Sequence, residues 1–136
     1  MAQVLVIDDD LAIRNLVRKL LNRDGHEVIL AGGGIEGLQI FLAESRSFDL
    51  VITDISMPDL NGDQVVQALL QDDPTLNILV FSGSGFESEI GEGLSSLQNR
   101  YPSIAVMEKP FTAKEFRGEV ALILLNQVQT PTDGCS

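Results

Sequence analysis

The sequence contains a single cysteine, Cys135, so no internal disulfide can form and a reducing compartment suits the chain. No apolar run approaches the roughly 18 residues of a membrane-spanning helix, and no basic stretch precedes an apolar one at the N-terminus. Both absences predict a soluble, cytoplasmic protein. Basic residues are scarce: 9 Lys and Arg stand against 20 Asp and Glu, for a formal net charge of -11. A field of that sign repels nucleic acid and anionic membrane surfaces, which argues against either as a direct partner. Internal repeats, low-complexity blocks and linkers are also missing. At 136 residues and 44% hydrophobic content, the chain fills one well-packed domain but not two.

What is present is an alternation of short apolar runs and helical patterns. The organising stretch is Phe48-Asp49-Leu50-Val51-Ile52-Thr53-Asp54-Ile55-Ser56-Met57-Pro58. Its β-branched, apolar run reads as a buried parallel strand that stops on a carboxylate, with a proline soon after. Val4-Leu5-Val6-Ile7 reads as a first strand running into Asp8-Asp9-Asp10. Ile13, Leu16, Val17, Leu20 and Leu21 then recur at helical spacing, with Asp10 as N-cap and Gly25 closing the helix. A strand over 26–30 precedes a helix carrying Ile35, Leu38, Phe41 and Leu42. Gly32-Gly33-Gly34 between them lacks the following Lys of a phosphate-binding loop and reads as simple flexibility.

After Asn61 and Gly62, a helix with Val65, Val66, Leu69 and Leu70 ends at Asp72-Asp73-Pro74. A fourth strand over 76–81 meets Ser82-Gly83-Ser84-Gly85. A helix near 86–98 should be the loosest, because Gly91 and Gly93 each cost it about 1 kcal/mol relative to Ala. A fifth strand over 104–107 reaches Glu108-Lys109-Pro110. Thr112 and Glu115 form a capping box ahead of a last helix that buries Phe116, Val120, Ile123 and Leu124. The reading places one domain at 1–127 and a flexible tail at 128–136.

Five βα units imply an α/β fold, a doubly wound parallel sheet of flavodoxin-like order 2-1-3-4-5. In that order strands one and three are neighbours at the switch point, so Asp8, Asp9 and Asp54 converge. Ser82 and Lys109 arrive at the same edge from strands four and five. Crowded carboxylates either hold protons or recruit a cation, and a hard, oxygen-liganded ion such as Mg²⁺ suits them. An Asp beside Pro and Gly often does no more than cap a turn, and Asp10 alone accounts for the helix cap, leaving Asp8, Asp9 and Asp54 to be explained.

Asp8-Asp9, Asp54-Ile55-Ser56-Met57-Pro58 with Gly62, Ser82-Gly83 and Lys109-Pro110-Phe111 together resemble the signature of the receiver domain of two-component response regulators, over about residues 2–127. The resemblance implies that Asp54 is the phosphoacceptor, taking a phosphoryl group from a sensor histidine kinase or histidine phosphotransfer protein and signalling to a downstream protein. It makes Asp9, Asp54 and the Ser56 backbone carbonyl Mg²⁺ ligands, with Asp8 acting through water. Ser82 becomes the hydroxyl that reaches the phosphoryl group and Lys109 its cation, next to a Lys109-Pro110 bond that is commonly cis. Ser56 and Ser84 occupy the positions that flank the attacking water, and both are small. A domain of this kind is a signalling acceptor and not an enzyme, although it takes part in its own phosphorylation and dephosphorylation.

Two departures stand out. Val106 replaces the usual aromatic three residues before the Lys, and 27 positions separate Ser82 from Lys109, a long interval that remodels the signalling surface. A receiver excised from a hybrid histidine kinase would share every motif. A haloacid-dehalogenase-like Mg²⁺-dependent phosphohydrolase also uses a strand-end Asp, but Ala12 stands where its motif needs Thr or Val, and no insertion is large enough for a cap. A flavin carrier of the same topology is disfavoured because three carboxylates would repel the flavin phosphate.

Overall fold

The computed structural model describes residues 2–43, 48–55, 57–82, 98–101 and 103–135, with 126–135 described by backbone alone. Its strands are β1 Gln3–Ile7, β2 Glu27–Ala31, β3 Leu50–Asp54, β4 Ile78–Ser82 and β5 Ile104–Glu108. The helices are α1 Leu11–Arg23, α2 Gly34–Ala43, α3 Gly62–Asp72 and a last helix, Ala113–Cys135. The strands form one parallel sheet of order β2-β1-β3-β4-β5, as the alternation of elements predicts. Pairing of Ile7 with both Ala31 and Thr53, of Asp54 with Phe81 and of Ser82 with Glu108 brings the strand ends to a common edge.

Burial follows position in the sheet. β3 and β4 are buried at every residue, whereas the edge strands β2 and β5 are partly exposed. Alternate residues feed two cores. Leu5, Ile7, Val51, Ile78 and Val80 pack under Val65, Val66, Leu69 and Leu70 of α3. On the other face Val6, Ile52, Leu79 and Phe81 pack under Val17 and Leu21 of α1 and Phe116 and Val120 of the last helix. Each large side chain buried this way contributes about 1.5–3 kcal/mol, so the two cores fix where the strand ends lie.

Local signals set the helix ends. The Asp10 side chain accepts from the Ala12 N–H at 2.9 Å and the Ile13 N–H at 3.4 Å. Past α1, Gly25 adopts φ 89°, and the N–H groups of Gly25 and His26 return to the carbonyls of Asn22 and Leu21, each at 3.0 Å. This is a Schellman closure, for which glycine is best suited. The Thr112–Glu115 box forms reciprocally, at 2.8 and 3.0 Å.

The structure corrects several expectations. Gly32-Gly33-Gly34 is not a run of simple flexibility: a Cβ on Gly34 would lie 2.8 Å from Leu60 and 2.9 Å from Val65, and one on Gly33 would lie 2.8 Å from Asp59. Glycine is needed there for close approach. At Gly37 a Cβ would run into Ile7, so α2 packs through glycines on a narrow stripe. Leu42, at 66% exposure, and Ile35 therefore lie outside that stripe; Leu16 is similarly displaced from the line of Val17, Leu20 and Leu21. Strand β2 begins and ends one residue later than its pattern suggests, and β4 runs on to Ser82, because the ladder with neighbouring strands sets the bounds. The last helix runs from Ala113 to Cys135. Of the helix expected near 86–98, residues 83–97 lie outside the described residues.

Candidate functional site

At the switch point between β1 and β3, the residues beyond the strands turn their carboxylates toward one another. Asp8 is fully buried and Asp54 is buried at the end of β3, while Asp9 is exposed. One oxygen from each of the three lies within 4.8 Å of the others. The loop leaving Asp54 folds back tightly: the Gly62 N–H donates to the Ile55 carbonyl at 2.8 Å, and a Cβ on Gly62 would sit 2.7 Å from the Asp54 carbonyl oxygen. Only glycine admits that approach.

Lys109 arrives from the far end of the chain. Its Nζ lies 3.2 Å from Asp8 Oδ2 and 3.4 Å from Asp54 Oδ1, and 5.8 Å from the centroid of the Phe81 ring. Its main-chain N–H donates to the Ser82 carbonyl at 2.7 Å, which ties β5 to β4 at the pocket, and the Lys109-Pro110 peptide is cis. The second Asp8 oxygen, Oδ1, accepts from the Asp10 N–H at 2.9 Å. Asp8 thus has both oxygens engaged.

Burial removes water from carboxylates that also repel one another. Desolvation, reinforced by the Asp8 charge, pushes Asp54 up to about 6 against the pull of Lys109. Asp8 is raised by burial too, opposed by the Asp10 amide and by Lys109. For Lys109 burial disfavours the ammonium, but the charges of Asp54 and Asp8 outweigh it and hold its pKa above the usual lysine value. Three carboxylates face one ammonium, all offering hard oxygen donors. A donor set of that kind fits a divalent cation such as Mg²⁺.

The structure thus brings together Asp8, Asp9, Asp54 and Lys109. It buries Ser82 at the last position of β4, one residue beyond Phe81, the partner of Asp54. Ser56 and Ser84 lie outside the described residues. Val106 sits on β5, with 36% of its surface exposed. Three neighbours of the site are not evident from sequence. Arg14 Nη1 donates to the Asp8 carbonyl at 2.7 Å, Asp59 accepts from the first amides of α2, and Phe81 lies under Lys109. The spacing of Arg14 from Asp10 places it one turn into α1, which was the only available clue.

Residues 4–121 match the family model of the response regulator receiver domain. The response regulator MprA of Mycolicibacterium vanbaalenii is 34% identical over 132 residues, which cover 97% of this chain and 53% of that protein. MprA of Mycobacterium leprae is 32% identical over 90% of this chain and 50% of its own length. The chain spans about half the length of these curated relatives. Among solved structures, a response regulator receiver domain protein of Clostridium thermocellum superposes with a TM-score of 0.81 at 27% identity, covering 96% of this chain and 99% of the other. A CheY-like receiver domain protein of Methanospirillum hungatei gives 0.82 at 25% identity, covering 96% and 98%. The parallel sheet with its acidic switch point and the extent of the family match lead to one assignment: this chain belongs to the receiver domains of two-component response regulators, a family of signalling domains.

Proposed function

We propose that Asp54 is the phosphoacceptor of this receiver and that Asp9, Asp54, Asp8 and Lys109 form the apparatus that loads it. The observation that carries the reading is a strand-end carboxylate with an ammonium 3.4 Å away and two further carboxylates within 4.8 Å. An Asp54 oxygen forms the new O–P bond in line, as the N–P bond of a donor phosphohistidine or the O–P bond of a small acyl phosphate breaks. The departing imidazole keeps the bond electrons. Lys109 moves little to leave the carboxylates for the transferring oxygens, where it offsets the growing charge. Asp9, Asp54 and the Ser56 carbonyl would hold Mg²⁺, with Asp8 acting through water, and the ion would neutralise charge at the same oxygens.

Asp8 has a second duty in this reading: with both oxygens engaged, it orients Lys109 and the Asp9–Asp10 peptide. Ser82 supplies the hydroxyl that answers the new phosphoryl group, and residues after it relay the change to a downstream protein. The donor is a sensor histidine kinase or a histidine phosphotransfer protein, and the setting is the cytoplasm. Among the described residues, no helix is long and apolar enough to cross a membrane.

The test is incubation with acetyl phosphate and Mg²⁺ followed by intact mass. The wild type gains roughly one phosphate and Asp54→Asn gains none. Equal labelling of the two removes Asp54 from the role. Val106 and the two small residues Ser56 and Ser84 favour a short-lived phosphoryl state. Decay after donor removal should be slowed by larger residues at 56 and 84, and a wild type that keeps its phosphate for hours contradicts this.

A further inference from the structure

The carboxylates of the pocket stand at the carboxyl ends of β1 and β3, and one glycine run meets Arg14 of α1 on one side and the loop after Asp54 on the other. Arg14 donates from Nη1 to the Asp8 carbonyl at 2.7 Å. That carbonyl belongs to the peptide joining Asp8 to Asp9. Since the Asp8 N–H is already held by the Ala31 carbonyl at 3.1 Å and its side chain by Asp10 and Lys109, the Arg14 bond fixes how the peptide plane turns. The plane in turn sets the direction in which the Asp9 side chain leaves. Asp9 is the exposed member of the cluster and is repelled by two carboxylates, so nothing in its own burial holds it inward.

The guanidinium lies against Gly32, where a Cβ would come within 3.1 Å of Nη1 and 3.7 Å of Cζ. Gly32 does not have a left-handed φ, so its missing side chain provides space and not backbone freedom. Its N–H is held by Glu36 Oε1 at 2.7 Å, which anchors the run to α2. From the other side, Asp59 of the loop after Asp54 accepts from the Gly34 and Ile35 N–H groups at 3.1 and 3.0 Å, passing close over Gly33.

We propose that Arg14, seated in the space left by Gly32, is a positioning residue for the cation site: it sets the Asp8–Asp9 peptide so that the Asp9 carboxylate stays beside Asp54. The proposal rests on the divalent-cation reading given above. Groups that orient a metal's ligands without touching the metal commonly account for 10–100-fold in affinity. Removing the guanidinium frees the peptide to turn and Asp9 to swing into water.

The experiment is calorimetric titration of Mg²⁺ into the unphosphorylated chain, for wild type, Arg14→Gln, Arg14→Lys, Gly32→Val and the Arg14→Gln/Gly32→Val pair, with metal-free melts of each. Arg14→Gln and Gly32→Val should each weaken Mg²⁺ binding about tenfold, and the pair should be no weaker than the weaker single, because both act through one contact. Arg14→Lys keeps one donor and should recover part of the loss. Unchanged Mg²⁺ affinity in Arg14→Gln overturns the proposal, as does an additive double variant or a loss confined to the metal-free melting temperature. Should Arg14→Gln fail to fold, Gly32→Val and Arg14→Lys decide the matter, since each keeps a cation at position 14. A wild type that takes up no Mg²⁺ brings down the cation reading together with this one, whereas normal binding in every variant brings down Arg14 alone.

Discussion

Asp54 shows how one residue can be costly to the fold and suited to the chemistry. Its folded-state pKa of about 6 lies above the ordinary 3.8, so the folded protein binds that proton more tightly than the unfolded chain does. The resulting stabilisation is complete below the ordinary value and is lost as pH rises through about 6. Asp54→Asn removes the charge, and should therefore stabilise the metal-free protein by about 1–3 kcal/mol near pH 7.5 and by less near pH 5. Urea denaturation in a chelator at both values measures this. Equal gains at the two pH values would show that burial does not strain the carboxylate.

Among the elements, α3 and the last helix give contrasting expectations. A methyl on Gly62 meets backbone on both sides, Ile55 Cα and the Asp54 carbonyl oxygen, and neither can yield without moving the acceptor. Gly62→Ala should cost about 3 kcal/mol and also weaken Mg²⁺ binding. Thr112→Ala removes an exposed capping hydroxyl and should cost about 1 kcal/mol. Chemical denaturation read alongside a Mg²⁺ titration separates the two cases. A harmless Gly62→Ala would mean that the turn after β3 relaxes freely and does not define the pocket.

For the molecule as a whole, a net charge of -11 and three gathered carboxylates work against the compact state, and a bound cation relieves both. Saturating Mg²⁺ should raise the melting temperature, by an amount that corresponds to about 2.7 kcal/mol at a hundred times the dissociation constant. Asp9→Asn should lose most of that shift while starting from a metal-free melting temperature no lower than wild type. Melts with and without Mg²⁺ decide it, and an equal shift in both proteins removes Asp9 from the ligand set. Added NaCl should stabilise the metal-free protein by screening, and less so once Mg²⁺ is present.

The order of elements, their parallel pairing and the edge that carries Asp8, Asp54, Ser82 and Lys109 were all legible in the sequence, because apolar run length and strand-end residues are local signals. The caps at Asp10 and Thr112 were legible for the same reason. What the tertiary structure decided is whatever depends on approach between distant segments. Gly34 and Gly37 look the same in a sequence whether a backbone needs freedom or a neighbour needs room, and only the packing of Ile7, Leu60 and Val65 shows that it is room. Leu16 and Leu42 have helical spacing but lie off the stripe, since the glycines and the sheet fix how each helix is rotated. Lys109 meets Asp8 across 101 residues, and Arg14 reaches its carbonyl from α1 as Asp59 reaches its amides from the loop after β3. Such bonds have no period along the chain: they exist only after burial of the two cores has brought the strand ends together.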